Sequence, residues 1–302
     1  MNSPYILIFT VVISVVLLVG CSSEKRGNPY DANGIAFVAA SSGESSSSVL
    51  GSSEGTSSSS LASSDGAQSS SLVSSSSVSV WCATAGNCGV FTDSRDSTSY
   101  KWTQIGSQTW MAENLNYGTP VLGLSSDANQ SNETIVEKYC YGDDNAKCDT
   151  DGGLYQWAEA MALPSFCNTT SCADSVNTKR QGICPSKWHM PSIADWDTLA
   201  TFLGTADSAG SKMKFAGTGF PDWNVPNYNQ GNPFEFTALP TGLRLDGGGF
   251  YGQGSLAIFW EAKENNVYGA GDRNLDVNDP KLYASTDIKR SGLSVRCIMD
   301  AQ

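Results

Sequence analysis

The distribution of apolar residues divides the chain into three parts. Residues 6–20 are an almost unbroken apolar run, the segment after them has no periodicity, and the remainder has helical and strand spacings. A run of about fifteen residues is short for a membrane span, which needs about 20, and fits a signal-peptide core. We expect a signal peptide over 1–20, a linker over 21–80 and one folded domain over 81–302.

Several segments of the third part have a readable pattern. Alternation over Tyr100–Ile105 and Gln108–Met111, with a turn at Gly106, predicts a β-hairpin. Two apolar stripes with helical spacing predict helices: Leu154, Trp157, Ala158 and Met161, then Trp196, Leu199, Phe202 and Leu203. Ser192 and Asp195 form a capping-box pattern at the start of the second helix.

The remaining pattern completes the fold class. Leu293, Val295 and Cys297 alternate with polar residues, which predicts a half-buried terminal strand. Residues 217–254 are rich in Gly, Pro and Asn, which predicts long ordered loops. Helices, short strands and long loops together indicate an α+β domain.

The end of the apolar run carries a recognisable motif. Leu18-Val19-Gly20-Cys21 resembles the lipobox of bacterial lipoproteins. This resemblance implies that Cys21 is acylated and becomes the first residue, so that the membrane is a partner through the lipid anchor. Ser22 rather than Asp after the cysteine implies, by the sorting rules of these proteins, the outer membrane.

Composition and charge narrow the partners. The linker contains serine runs such as Ser45–Ser48 and Ser74–Ser77, which cannot bury enough apolar area to fold. The formal net charge of the chain is −12, and there is no basic stripe. Because phosphate backbones repel such a surface, nucleic acid is excluded as a partner.

The cysteines fit an exported domain. Apart from Cys21 they are Cys82, Cys88, Cys140, Cys148, Cys167, Cys172, Cys184 and Cys297, an even number that predicts disulfides. Close spacing suggests the pairs Cys82–Cys88, Cys140–Cys148 and Cys167–Cys172, which leaves Cys184–Cys297 as a long-range bridge. A zinc site is disfavoured because no Cys-x-x-Cys occurs and His189 is the only histidine.

Five sequence blocks occur in an order that is specific to one family. They are Phe91–Lys101, Ile105–Tyr117, Cys140–Trp157, Cys184–Ser192 and Leu293–Cys297. This arrangement closely resembles the Fibrobacter succinogenes major paralogous domain, a family found on exported lipoproteins. The resemblance does not imply a defined biochemical activity.

A weaker resemblance concerns the fold. Trp188–Trp196 is similar to the R-L-P-T-E-A-E-W block of formylglycine-generating-enzyme-like domains, and Leu293–Cys297 is similar to their closing block. That resemblance implies a C-type-lectin-like fold with two helices, short mixed strands and long disulfide-stapled loops. The catalytic cysteine pair of those enzymes follows the R-L-P block. Here Cys167 and Cys172 precede the corresponding block, so the catalytic positions do not carry over.

The candidates for catalysis are few. A Ser-His-Asp arrangement would depend on His189, which lies in a turn that enters a helix. We expect His189 to be a structural residue bonded to the backbone, and the domain not to be an enzyme.

Two sets of residues are candidate binding sites. Asp143, Asp144, Asn145, Asp149 and Asp151 crowd hard oxygen ligands around a stapled turn, which suggests calcium. The alternative is an acidic solvated turn in which Asp151 caps the helix at Leu154.

Aromatic and amide side chains in the Gly-rich loops suggest ligand binding by stacking and hydrogen bonding: Trp223, Asn224, Tyr228, Phe250 and Tyr251. The alternative is that these rings cover the core.

These observations lead to one main hypothesis. The chain is expected to be an outer-membrane, cell-surface lipoprotein that presents a non-catalytic binding or adhesion domain, with polysaccharide or a surface protein as ligand. The alternatives are an enzyme on a formylglycine-generating-enzyme-like scaffold and a structural envelope protein.

Overall fold

The structure, a computed structural model, describes residues 87–176, 179–217, 222–229 and 231–300. Outside these residues lie the expected signal peptide, the expected lipidation site Cys21, the expected linker and Cys82. Among the described residues, no helix has the length and apolar character needed to cross a bilayer.

The elements form an α+β domain, as the sequence predicts. The strands are β1 Cys88–Thr92, β2 Ser99–Ile105, β3 Gln108–Met111, β4 Thr119–Val121, β5 Glu137–Tyr139, β6 Leu154–Tyr155, β7 Trp188–His189, β8 Leu243–Arg244, β9 Phe250–Tyr251, β10 Leu256–Glu264, β11 Gly269–Asp276, β12 Tyr283–Ile288, β13 Leu293–Ser294 and β14 Ile298–Met299. The α-helices are α1 Asn145–Asp151, α2 Trp157–Ala160, α3 Ile193–Phe202 and α4 Ala206–Met213.

The strands pair in two main sheets and one short hairpin. The first sheet has the order β1-β2-β3-β14-β7, and the second has the order β12-β11-β10-β13-β6-β5-β4. The second is mixed, because β10 pairs with β13 and β4 pairs with β5 in parallel. The hairpin β8–β9 stands apart as a two-stranded sheet.

The predicted hairpin at the start of the domain is confirmed. Ile105 pairs with Gln108 across the turn between β2 and β3. Gly106 has a φ of 62°, a backbone conformation that glycine adopts without steric cost.

The capping box of α3 is also confirmed. Ser192 Oγ accepts a hydrogen bond from Asp195 N at 3.3 Å, and Asp195 Oδ2 accepts one from Ser192 N at 2.9 Å. Trp196 and Leu199 are fully buried, whereas Phe202 is 49% exposed and packs edge-on against Phe234 at the surface. The predicted stripe is therefore narrower than the pattern suggests.

The first predicted helix is wrong in its N-terminal part. Leu154 and Tyr155 form β6, and the helix α2 begins only at Trp157. Leu154 pairs with Tyr139 on one side and with Ser294 on the other. Tertiary strand pairing overrides a helical spacing that is equally consistent with a short buried strand.

The predicted half-buried terminal strand is wrong in a related way. Every residue from 293 to 298 is buried, including the polar Ser294 and Arg296. The segment leaves the second sheet at β13 and enters the first sheet at β14, so both of its faces are covered. Alternation therefore does not mark a solvent-facing side here.

Buried cations bonded to backbone carbonyls hold the long loops. Lys214 Nζ donates to three carbonyls and Lys289 Nζ to two. Arg296 donates to carbonyls of three residues and to Asn114 Oδ1. Burial lowers the pKa of Lys214 to about 8, and the nearby carboxylates of the Asp276 loop oppose that shift.

The disulfides follow the predicted pairing where it can be seen. Cys140–Cys148, Cys167–Cys172 and Cys184–Cys297 are bonded, and the last of these joins residues 113 apart in sequence. Cys88 is disulfide-bonded. Its predicted partner, Cys82, lies outside the described residues, so that pair stays a prediction.

Candidate functional site

A cleft with a volume of about 510 Å³ opens beside β4 and the loop that follows it. Its lining residues are Pro120, Val121, Leu122, Ala128, Asn129, Cys140, Asp143 and Asn145. Leu122 is 72% exposed and Leu124 is 64% exposed, so the loop that borders the cleft presents two large apolar side chains to solvent. The cleft therefore combines apolar side chains with amide and carboxylate groups.

Arg244 is fully buried and fixes the backbone of this loop. Its Nε donates to Gly123 O at 3.0 Å, and its Nη2 donates to the carbonyls of Ser125 and Ala128 at 2.7 and 3.0 Å. The guanidinium carbon lies 4.8 Å from the centroid of the Tyr139 ring. Hydrogen bonds from a charged donor are stronger than neutral ones, so the loop is pinned at three points.

An aromatic pair lies next to the cleft. Tyr141 and Phe250 have ring centroids 5.2 Å apart with 49° between the ring planes. A Cβ on Gly123 would lie 2.7 Å from the Phe250 ring, so the approach of hairpin and loop requires glycine at this position. Gly249 N donates to Gly123 O at 3.0 Å and closes the same contact.

Gln253 connects α1 to the loop that follows β9. Lys147 Nζ donates to Gln253 Oε1 at 2.5 Å, and Gln253 Nε2 donates to Asp151 Oδ2 at 2.7 Å. Lys147 Nζ also lies 5.3 Å from the centroid of the Tyr141 ring. Burial raises the pKa of Asp151, against the hydrogen bonds from Thr150 and Gln253.

The carboxylates predicted to bind calcium have separate partners. Asp143 Oδ1 accepts from Gly123 N at 2.6 Å. Asp144 is the N-cap of α1 and accepts from Ala146 N at 3.0 Å. Each of these carboxylates is thus used to fix the local backbone.

The other predicted ligands do not join them. Asp151 is buried at the end of α1, so it does not cap a helix at Leu154, and Asn145 and Asp149 are exposed. In the described ranges, no group of three or more His, Cys, Asp or Glu residues is arranged to hold a metal ion. The calcium site therefore stays a prediction, and of its five proposed ligands Asp143 and Asn145 line the cleft.

Of the residues predicted to bind ligand by stacking, the structure brings Phe250 to the loop beside the cleft. Phe250 contacts Tyr141, and the next residue, Tyr251, is 40% exposed. Asn224 Nδ2 donates to Ser255 Oγ at 3.0 Å, just beyond the same hairpin. Tyr228 is 54% exposed, but it does not line the cleft.

The expectation that Trp223 is exposed is wrong. Its side chain is 4% exposed within the main hydrophobic core, and its Nε1 donates to Ala238 O at 3.0 Å. Lys214 Nζ lies 4.9 Å from its ring centroid. A Gly- and Pro-rich neighbourhood does not keep a large indole from being buried when the loop folds over the core.

His189 lies between two carboxylates. Its Nδ1 lies 2.7 Å from Asp300 Oδ1 and its Nε2 lies 3.5 Å from Asp195 Oδ2. Burial lowers the pKa of His189, but the two carboxylates outweigh this effect and the pKa is raised. Ser192 Oγ donates to Asp195 Oδ2 at 2.6 Å, so its hydroxyl proton is directed at a carboxylate and not at the imidazole. The predicted backbone partners of His189 are thus replaced by carboxylates.

Sequence reasoning missed four residues that shape the cleft region: Leu122, Leu124, Arg244 and Gln253. Arg244 stands between two leucines, and this alternation would place it on a solvent-facing side of a strand. No local sequence pattern predicts that Leu122 and Leu124 are exposed, because their exposure depends on the position in which Arg244 holds the loop.

Together, these features define a disulfide-bonded α+β domain with a rigid cleft lined by apolar, amide and carboxylate groups. The family model described as the Fibrobacter succinogenes major domain matches residues 103–299. Since this match covers more than half of the chain, the protein belongs to that family. No curated protein and no solved structure gives a significant match.

Proposed function

We propose that this protein is an exported lipoprotein of the outer membrane that presents a non-catalytic binding domain at the cell surface. In this proposal residues 1–20 direct export, Cys21 carries the acyl anchor, and residues 21–80 tether the domain. The domain over 81–302 then binds a ligand outside the membrane, and a glycan suits its cleft best.

One observation carries the ligand-binding part of the proposal. The cleft has a solvent-exposed apolar side chain at Leu122 beside the amides of Asn129 and Asn145, and Leu124 is exposed on the loop that borders it. Sugars present C–H faces that contact apolar side chains and hydroxyl groups that bond to amides and carboxylates. A loop whose carbonyls are pinned by Arg244 loses little conformational entropy when it binds.

The absence of catalysis is part of the proposal. The hydroxyl of Ser192 donates to the Asp195 carboxylate and His189 is held between two carboxylates, so the two residues do not form a pair in which the imidazole takes up the hydroxyl proton. An enzyme with its site elsewhere on the domain, or a structural envelope role, are the competing proposals.

We also propose that the domain has a C-type-lectin-like fold. In support, its first strands and its last strand meet in one sheet, where β14 pairs with β3, and a long-range disulfide joins Cys184 to Cys297. Determination of an experimental structure and comparison of its topology with that fold would test this proposal.

A glycan array tests the function directly. The full-length chain, purified in detergent, is applied to the array with and without EDTA. We expect glycan binding that EDTA leaves unchanged, because Asp143, Asp144 and Asp151 each accept a hydrogen bond from a different part of the protein. Binding to no glycan at all would contradict the proposal.

Two tyrosine variants then locate the site. Tyr251→Ala, at the exposed residue that follows Phe250 in β9, should weaken binding to the best array ligand by about tenfold or more, as expected for an aromatic contact residue. Tyr268→Ala is the matched control, because Tyr268 is 63% exposed and lies in the turn between β10 and β11. Equal effects of the two variants would place the site elsewhere.

A further inference from the structure

The ionic character of the cleft restricts which ligand it can accept. Among the described residues that line it, the only ionisable side chain is Asp143. Its Oδ1 accepts from Gly123 N, which fixes the carboxylate in place at the cleft. Neighbouring positions add further carboxylates at Asp127 and Asp144, both exposed.

The nearby cations are bonded to protein acceptors. The guanidinium of Arg244 is fully buried and donates to backbone carbonyls. Lys147 Nζ is bonded to Gln253 Oε1, and Arg290 lies 3.7 Å from Asp246. The described residues that line the cleft include no Lys or Arg, so a carboxylate or sulfate on a ligand would meet the negative charge of Asp143 there.

The polar groups that remain suit hydroxyls. Asn129 uses its Oδ1 to accept from Gln156 Nε2 at 2.9 Å, and Asn145 is exposed on the first turn of α1. An amide both donates and accepts hydrogen bonds, as does a sugar hydroxyl, whereas the carboxylate of Asp143 can only accept a hydrogen bond from a hydroxyl.

From these contacts we infer that the cleft selects uncharged polysaccharide and rejects acidic polysaccharide, with Asp143 as the residue that enforces the choice. This inference rests on the proposed glycan-binding function and adds the class of glycan to it. The preference arises from repulsion of the wrong ligand as much as from attraction to the right one.

The test uses one polymer backbone in two charge states. Methyl-esterified polygalacturonan is uncharged where its de-esterified form carries a carboxylate on each sugar. Binding of the full-length chain in detergent to each form is measured at low salt and at about 1 M NaCl, where charge interactions are screened within about 3 Å. Dextran and dextran sulfate serve as a second pair.

We expect the uncharged form of each pair to bind at least about tenfold more tightly at low salt, and the difference to shrink at high salt. Asp143→Asn should reduce the low-salt preference by about threefold or more, because the asparagine Oδ1 still accepts from Gly123 N but carries no charge. The matched control is Asp207→Asn on α4, where the aspartate side chain is 79% exposed, and it should leave the preference unchanged.

The outcomes separate this inference from the function on which it rests. Equal or tighter binding of the acidic forms, or an unchanged preference in Asp143→Asn, would overturn the inference and leave glycan binding intact. Binding to none of these polymers and to no glycan on the array would overturn both. A preference for a basic peptide over every polysaccharide would also overturn both.

Discussion

Replacement of Arg244 by methionine tests whether buried cations hold the loops of this domain. The side chain donates three hydrogen bonds of 3.0 Å or shorter to the loop beside the cleft. Bonds from a charged donor contribute about 1.5–3 kcal/mol each, so the gross loss is about 4.5–9 kcal/mol. Methionine has a similar length but no guanidinium to contact the Tyr139 ring.

Two effects reduce this loss. The carbonyl of Gly123 still accepts from Gly249 N, and that of Ala128 still accepts from Tyr139 Oη. Removal of a buried charge also recovers several kcal/mol of desolvation free energy. We therefore expect Arg244→Met to lower the free energy of unfolding by about 3 kcal/mol.

Thermal melts and hydrogen exchange measure the result on the full-length chain. A loss of about 3 kcal/mol corresponds to a fall in Tm of about 6–12 °C for a domain of this size. Amide exchange over residues 119–130 should increase in the native state, before global unfolding. Arg244→Lys keeps the charge but has fewer donors, so its Tm should lie between those of the unchanged protein and Arg244→Met.

Arg290→Met is the matched control. Its side chain is 40% exposed and lies 3.7 Å from Asp246, so this ion pair contributes about 0–1 kcal/mol. If Arg244→Met melts within about 2 °C of the control and exchange over 119–130 is unchanged, the loop is held by other contacts and our reasoning is wrong.

Other predictions address the anchor, the core and the titration of buried groups. Cys21→Ser should abolish fatty-acid labelling of the chain, and unchanged labelling would contradict the predicted lipidation site. Replacement of both Cys184 and Cys297 by alanine should lower the free energy of unfolding by about 5 kcal/mol on the chain-entropy model. A negligible change in a denaturant titration would contradict this prediction. Trp223→Ala should cost about 3–5 kcal/mol of stability, measured by the same titration, because the ring is buried in the core; a loss of ligand binding at unchanged stability would instead return it to the site. Burial raises the pKa of Asp272 from 3.8 to about 7, so folding takes up a proton there between about pH 4 and 7. The stability contributed at this residue therefore falls as pH rises through that window, and Asp272→Asn should flatten the measured dependence; an identical pH profile would show that the carboxyl is not perturbed.

Local sequence patterns were sufficient where the interaction itself is local. The β2–β3 turn at Gly106 and the capping box at Ser192 depend on residues within a few positions of each other, and both are confirmed. The disulfide pairs with short spacing were predicted for the same reason. The long-range bridge then followed from the cysteines that remained.

The candidate site was only partly predictable. The sequence indicated Asp143, Asn145, Phe250 and Tyr251 as two unrelated sets, one for calcium and one for stacking. The structure brings both sets to one region, because Phe250 packs on Tyr141 and Gly123 touches both the Phe250 ring and the Asp143 carboxylate. Contacts between residues more than a hundred positions apart leave no periodic signal in a single sequence.

The sequence by itself determined the α+β class, three of the disulfide pairs and the family, since spacing and motif order carry that information. Tertiary structure alone decided which polar residues are buried. Arg244, Lys214 and Arg296 are read as surface residues from their charge, but each lies in the interior. The physical reason is that backbone carbonyls of distant loops offset the cost of burying these cations, and those carbonyls come together only in the fold.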